Sequence, residues 1–147
     1  MKISTRGRYG TRLLLDLAQH NDDERILLRD VSLRQDISLH YLERLINPLV
    51  AGGMIRTTRG PKGGVSLAKP PEQIKLSEVI QLLEGSTAPV ECIEDPMICD
   101  RSGICATRDI WDELKKKTDS VLESITIKDL VERQTKKMKP EKRMYYI

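Results

Sequence analysis

Residues 38–67 read SLHYLERLINPLVAGGMIRTTRGPKGGVSL, and the organisation of the chain follows from them. Leu39, Leu42, Leu45, Ile46 and Leu49 recur at the spacing of one helix face. Ser38 stands where its hydroxyl can accept from a first-turn N–H that otherwise lacks a partner. Gly52 and Gly53 end the helix. Residues 54–58 and 64–68 then read as two short strands joined by a basic, glycine-rich tip, RGPKGG. Pro48 lies inside the expected helix, where proline removes one hydrogen bond and crowds the preceding turn. A kink near Asn47, or an irregular last turn, is therefore expected.

A helix with a polar outer face, followed at once by a basic hairpin, is what a winged helix-turn-helix sets on DNA. The helix enters the major groove and the hairpin lies over an adjacent backbone or minor groove. The upstream sequence supplies the remaining parts. Residues 28–35 form a short helix carrying Val31 and Leu33, and the next residues turn, with Ile37 buried between the two helices. Residues 4–20 form a first helix with Tyr9, Leu13, Leu14, Leu17 and Ala18 as its apolar stripe, and Arg6, Arg8 and Arg12 on its polar side. Ile26 and Leu27 make a short strand that joins the hairpin.

On the polar side of the second helix of the motif lie Ser38, His40, Tyr41 and Arg44. An arginine there suits bidentate pairing with a guanine edge, and Tyr41 and Ser38 can donate to phosphate or base. Arg59, at the wing tip, suits a narrow minor groove, where negative potential concentrates. Lys62 suits phosphate. Gly60, Gly63 and Gly64 permit the tight backbone path there. Glu43, an acid among these bases, is expected to pair with a neighbouring arginine.

Downstream, LAKPPEQIKL is a proline-marked connector to a helix at 76–83 that packs through Val79, Ile80 and Leu83 and stops at Gly85. Residues 86–105 hold two prolines, a glycine and no sustained periodicity, and read as a loop of about 20 residues, long enough to be functional. Residues 106–125 are helical again, with Ile110, Trp111, Leu114, Thr118, Val121, Leu122 and Ile125 on one face. No later domain covers that stripe, so pairing with the same helix of a second copy about a two-fold axis is expected. Thr126 caps a further short helix carrying Ile127, Leu130 and Val131. The basic tail from residue 135 is expected to be mobile, with Tyr145 and Tyr146 available to a partner subunit.

The expected fold is thus mainly α with a small β-hairpin wing: a winged helix-turn-helix domain plus a long dimerisation helix. The expected units are 1–84 for DNA binding, 85–105 for a cysteine-bearing loop, 106–134 for the dimerisation helices and 135–147 for the tail. Charge follows this division. Residues 1–75 carry +5, residues 76–135 carry −6 and the last twelve carry +4, within a net charge of only +3. A basic segment over the reader suits nucleic acid, and an acidic one suits protein contact. With no Phe and one Trp, the core must be mostly aliphatic. No apolar run approaches the roughly 18 residues of a membrane span. The opening MKISTRGRYG has no apolar signal region, so a cytoplasmic location is expected.

All three cysteines, Cys92, Cys99 and Cys105, fall in the loop. Thiolates there can converge on a metal, act as redox sensors or be inert, and spacing alone leaves all three open. The CxxC pairs usual in zinc sites are absent, whereas iron–sulfur clusters accept wider spacings. An enzyme is not expected. No histidine or acid–base pair accompanies the thiols, and no phosphate-binding glycine loop precedes a helix.

Five pieces carry a family resemblance: KISTRGRYGTRLLLDLA, ISLHYLERL, RGPKGGVSLAK, LSEVIQLLEG, and the three cysteines followed by CATRDIW. Together they resemble the winged helix-turn-helix repressors that include IscR, NsrR and CymR, and most of all the iron–sulfur cluster regulators among them. The similarity runs from residue 1 to about residue 131. It implies a homodimeric repressor on double-stranded operator DNA, holding a 2Fe–2S cluster through Cys92, Cys99 and Cys105 and controlling cluster-assembly genes. It also implies that DNA contacts come from the second helix of the motif and the wing. Two positions depart from the pattern. Arg108 stands where the cluster regulators supply a histidine, and Arg8 where others supply an acid. A guanidinium stays protonated and is a poor ligand. The fourth ligand is left among Asp109, Glu91, Glu94, Asp100, a small molecule or none. The alternative is a cluster-free thiol or cysteine-metabolism repressor of the same fold.

Overall fold

A computed structural model describes residues 2–22 and 25–139. Its first helix, α1 (Thr5–Gln19), opens at Ser4, whose hydroxyl accepts from the N–H groups of Arg6 and Gly7 at 3.1 and 3.3 Å. Two short helices follow, α2 (Leu28–Gln35) and α3 (Leu39–Ala51). Between them Asp36 takes the left-handed conformation, φ 51°, which an aspartate tolerates better than most side chains. Ile37 is buried in the turn, as its spacing predicts.

The end of α3 explains the paired glycines. Met54 N–H donates to Leu49 C=O at 2.9 Å and Gly53 N–H to Val50 C=O at 3.0 Å. This is a Schellman ending, and it requires positive φ at the residue after the cap, here Gly53 at 71°. It leaves Met54 buried. The helix passes through Pro48 to Ala51 and closes in this regular way, not in the irregular last turn expected. Proline's missing N–H leaves the Arg44 carbonyl without its intrahelical donor.

The chain then enters the wing, β1 (Ile55–Thr58) and β2 (Gly64–Leu67), antiparallel with Ile55 opposite Leu67 and Thr58 opposite Gly64. The expected third strand reduces to one bridge, Ile26 against Val65. A 3-10 turn at Pro71–Gln73 leads to α4 (Leu76–Glu84), ended by Gly85 at φ 80°. The long helix α5 (Ala106–Glu123) and α6 (Ile127–Met138) complete the described chain.

The core is aliphatic. Leu13, Leu14, Leu17, Val31, Leu42, Leu49, Ile74, Val79 and Ile127 are wholly buried. Truncating one such leucine to alanine costs about 2–5 kcal/mol, so these positions hold the motif's helices in place. Ile127 shows that α6 shares this core. Backbone bonds from Leu76 N–H to Ile125 C=O, 2.8 Å, and from Ile127 N–H to Ile74 C=O, 2.9 Å, stitch its start to the connector before α4. A reciprocal capping box between Thr126 and Asp129 fixes that start. α6 packs on α1 and runs to Met138, past the residue-135 boundary expected for the tail. Residues 140–147, with Tyr145 and Tyr146, lie outside the described residues.

In contrast, α5 buries none of its residues. Ile110 and Val121 are each 57% exposed, and Trp111 and Leu114 are exposed as well. Of the stripe read from the sequence, Ile110, Trp111, Leu114 and Val121 are uncovered within one chain, while Thr118, Leu122 and Ile125 are half-buried. Among the described residues no helix is long and apolar enough to cross a membrane.

Candidate nucleic-acid interface and cysteine loop

α3 buries Leu42, Leu45 and Leu49 and turns Ser38, His40, Glu43 and Arg44 outward. Ser38 is committed to its helix, accepting from Tyr41 N–H at 3.2 Å. Tyr41 is half-buried, its ring edge-on to that of Tyr9 with centroids 5.5 Å apart. Arg8 and Arg12 lie over the Tyr9 ring at 5.7 and 5.5 Å. The two tyrosines thus join α1 to α3 and restrict how the Tyr41 phenol can be presented. Glu43 lies 3.9 Å from His40 across an exposed surface, and among the described residues its ion-pair neighbour is that histidine rather than the arginine expected.

Beside this face, Arg6, Tyr41, Arg44, Leu45 and Pro48 line a hollow of about 250 Å³. Arg6 and Arg44 are both exposed. The sequence marked Arg6 only as a polar-face residue of α1. Its position against α3 follows from helix packing and has no local signal.

The wing extends the basic surface with Arg56, Arg59 and Lys62, all exposed. Its tip is tightly folded: Gly60 has φ 97°, and Gly63 N–H donates to Gly60 C=O at 2.8 Å. A Cβ on Gly63 would stand 2.9 Å from that same carbonyl oxygen, so a side chain there would push the tip open. Arg25 Nε donates to Gly63 C=O at 2.6 Å, and Val65 N–H to Ile26 C=O at 2.8 Å. The wing is therefore braced by the segment that precedes α2.

Behind α2 a buried charge fixes the motif's first helix. Asp16, 1% exposed, receives Arg34 through Nη2 at 2.7 Å and Nε at 3.1 Å, and Gln35 Nε2 at 2.9 Å. Arg12 adds a bond from Nη2 to the Gln35 carbonyl. These bonds tie the last turn of α2 to α1, next to the turn that launches α3. Nothing in the sequence spacing marks Asp16 as buried.

The cysteine loop is more ordered than its sequence suggests. It contains 3-10 turns at Glu91–Ile93 and Pro96–Ile98. Asp95 caps the second by accepting from Met97 N–H at 3.0 Å, and Ser102 donates to Pro96 C=O at 2.8 Å. Thr87 donates to Asp119 at 2.5 Å, and Asp119 also pairs with Lys115 at 2.5 Å. Lys115, then Thr87, hold the Asp119 carboxyl below its ordinary pKa. Arg108, the residue in place of a histidine, donates from Nε to the Cys92 carbonyl at 3.0 Å.

Cys92, Cys99 and Cys105 are free thiols, each partly exposed. Cys105 precedes the first turn of α5, with Sγ 3.2 Å from Thr107 Oγ1. The Thr107 hydroxyl, then the Arg108 backbone N–H, hold its thiol below the usual cysteine value. This favours thiolate, the form that ligates metals and attacks electrophiles. Three soft donors on one loop fit iron–sulfur chemistry in kind. Among the described residues, however, no three Cys, His, Asp or Glu side chains are already gathered about a point that would hold a metal ion. Binding through all three thiols would need the loop to close further.

Comparison with known proteins agrees with this architecture. Residues 3–133 match the Rrf2 family model, described as an iron-dependent transcriptional regulator. Protein rrf2 of Nitratidesulfovibrio vulgaris is 44% identical over 131 residues, covering 89% of this chain and 87% of that protein. The structure of T. potens IscR is similar at a TM-score of 0.80, with 34% identity over 99% of this chain and 97% of that one. The structure of CymR, the global cysteine regulator of B. subtilis, is similar at 0.77, with 34% identity over 90% of this chain and 98% of that one.

Proposed function

The chain belongs to the Rrf2 family of transcriptional regulators, and from that premise we propose that it is a homodimeric repressor sensing iron–sulfur cluster status through its cysteine loop. It is a DNA-binding transcriptional regulator rather than an enzyme. In our reading α3 lies in the major groove, with Ser38, His40, Tyr41 and Arg44 toward the DNA, and the wing presents Arg59 to a minor groove and Lys62 to phosphate. A cytoplasmic location goes with that role.

One observation carries the sensing half of the reading. All three thiols sit on the one segment that leads from α4 of the DNA-binding core into the uncovered helix α5. A bound cluster would supply a change of charge and a covalent tie that depend on iron and redox state. Cys92, Cys99 and Cys105 would hold it, and Thr107 and the Arg108 backbone lower the cost of the Cys105 thiolate. Because Thr87 and Arg108 already link the loop to α5, closing the loop on three ligands would pull on that helix. If α5 of two copies pair, a small change in their seating alters the spacing of the two recognition helices. Half-sites lie about one helical turn, roughly 34 Å, apart, so different operators would fit each state.

The second reading, a thiol or cysteine-metabolism repressor holding no cluster, is favoured by Arg108. Its guanidinium is engaged with the Cys92 carbonyl at the place where the cluster regulators carry a ligand. Similarity to CymR points the same way. Anaerobic purification separates the two. Visible iron–sulfur absorption with stoichiometric iron and sulfide supports the cluster sensor. A colourless, iron-free protein that still binds selected DNA leaves the thiol regulator.

A further inference from the structure

The hollow between α1 and α3 has the chemistry of an anion clamp. Arg6 reaches it from the first turn of α1, and Arg44 and Tyr41 from the first half of α3, over a floor of Leu45 and Pro48. Among the described residues, neither Arg6 nor Arg44 has a carboxylate or other side-chain partner. The acids close by are engaged elsewhere. Glu84 accepts from Ser4 Oγ at 2.5 Å and Gly7 N–H at 2.8 Å, and Glu43 faces His40. The N–H groups of Arg6 and Gly7 are already taken by Ser4 and Glu84, so an anion in the hollow would be held chiefly by side chains. Tyr41 is steadied by Tyr9.

Two unpaired guanidinium groups and a phenol converging on one hollow suit a group with several anionic oxygens. Arginine forks match phosphate geometry, and each hydrogen bond is charge-assisted. Beside a helix lying in a major groove, the phosphates available are those of the strand that flanks the groove. We infer that Arg6, Arg44 and the Tyr41 hydroxyl clamp one phosphodiester of the operator backbone. Arg6 thereby becomes a DNA-contacting residue, and Arg44 acts as a backbone anchor instead of reading the guanine that its place on α3 alone suggests. The inference rests on the DNA-binding reading of α3. Its consequence is that α1 sets the depth and angle at which α3 enters the groove.

The test uses the full chain and a duplex selected by the wild-type protein from a random pool, beside an unselected duplex. Arg6→Ala and Arg44→Ala should each weaken both duplexes by a similar factor, roughly tenfold. The double variant should lower the slope of log affinity against log salt by about one unit. If both hold one phosphate, the double loss should be smaller than the product of the single losses. A scan of single methylphosphonate substitutions locates the contact: one position should weaken wild type most, each single variant less, and the double variant least. Arg44→Ala that relaxes preference at one base pair with an unchanged salt slope overturns the clamp in favour of base reading. Arg6→Ala with wild-type affinity and slope also overturns it. Failure of the DNA-binding reading itself would look different, because the wild-type protein would then select no duplex.

Discussion

Asp16 is the residue on which the reader's geometry most depends. It is the single buried charged side chain among the described residues, and its carboxylate is shared by Arg34 and Gln35 at the last turn of α2. Removing one partner of a buried ion pair leaves an uncompensated charge, usually at 3–5 kcal/mol. Arg34 keeps 34% of its side chain exposed, which places Asp16→Ala near the lower end, about 3 kcal/mol, by urea unfolding. The same variant should lose DNA affinity beyond its loss of stability, since the turn before α3 would loosen.

Asp119 offers a second test at this scale. Lys115 and Thr87 depress its pKa in the folded state. A depressed carboxyl contributes stability that is present above the unfolded value, about 3.9, and is lost as pH falls through the lower folded value. Wild type should therefore be the more stable of wild type and Asp119→Asn at pH 7, and the gap should close as pH drops below about 4. The measurement is the urea midpoint against pH. A gap that persists at pH 2 would mean that packing, not ionisation, carries the effect.

Among the elements, α5 is the one whose environment within a single chain is incomplete. It has 18 residues, none buried, and a stripe of Ile110, Trp111, Leu114 and Val121 open to solvent. A contiguous apolar stripe of this kind marks an interaction surface. On the proposed dimer, Leu114→Lys or Val121→Lys would bury a charge without a partner and yield monomers or aggregate. Light scattering decides the matter, and monodisperse dimers from both variants would sink the proposal. α6 behaves otherwise. Ile127 is wholly buried and the helix packs on α1, so lysine there should unfold the DNA-binding core itself.

At the scale of the whole molecule the question raised by the proposed function is how a loop of free thiols between α4 and α5 acts on a reader built from α3 and the wing. Loop, α5 and α6 follow one another, and α6 returns to α1, which carries Arg6, Arg12 and Asp16. A change in the loop thus has a covalent and packed route back to the residues that fix α3. Cys92→Ala should abolish visible iron–sulfur absorption yet leave a folded protein that binds some DNA. Under anaerobic conditions, affinities of loaded and cluster-free protein should then diverge on only part of a panel of operators. Identical affinities across the panel would remove the cluster as the switch.

The periodicity of residues 38–67, the cap at Ser38 and the paired glycines were enough to determine helix, turn and wing, because these are local choices made within a few residues of chain. The uncovered stripe of α5 was equally legible, since a helix face is written in its own spacing. The candidate thiols were countable from the sequence, and Arg108 was visible as a departure. Tertiary structure alone decided that Arg6 and Arg44 line one hollow, that Asp16 is buried under Arg34, and that α6 joins the N-terminal core. Each depends on which faces meet across 18 to more than 100 residues of chain, and neither spacing nor composition encodes such a meeting. Even Pro48 followed this rule. Its local preference argued for an irregular end, but burial of Leu45, Leu49 and Met54 holds α3 through to the Schellman turn, because packing outweighs one missing hydrogen bond.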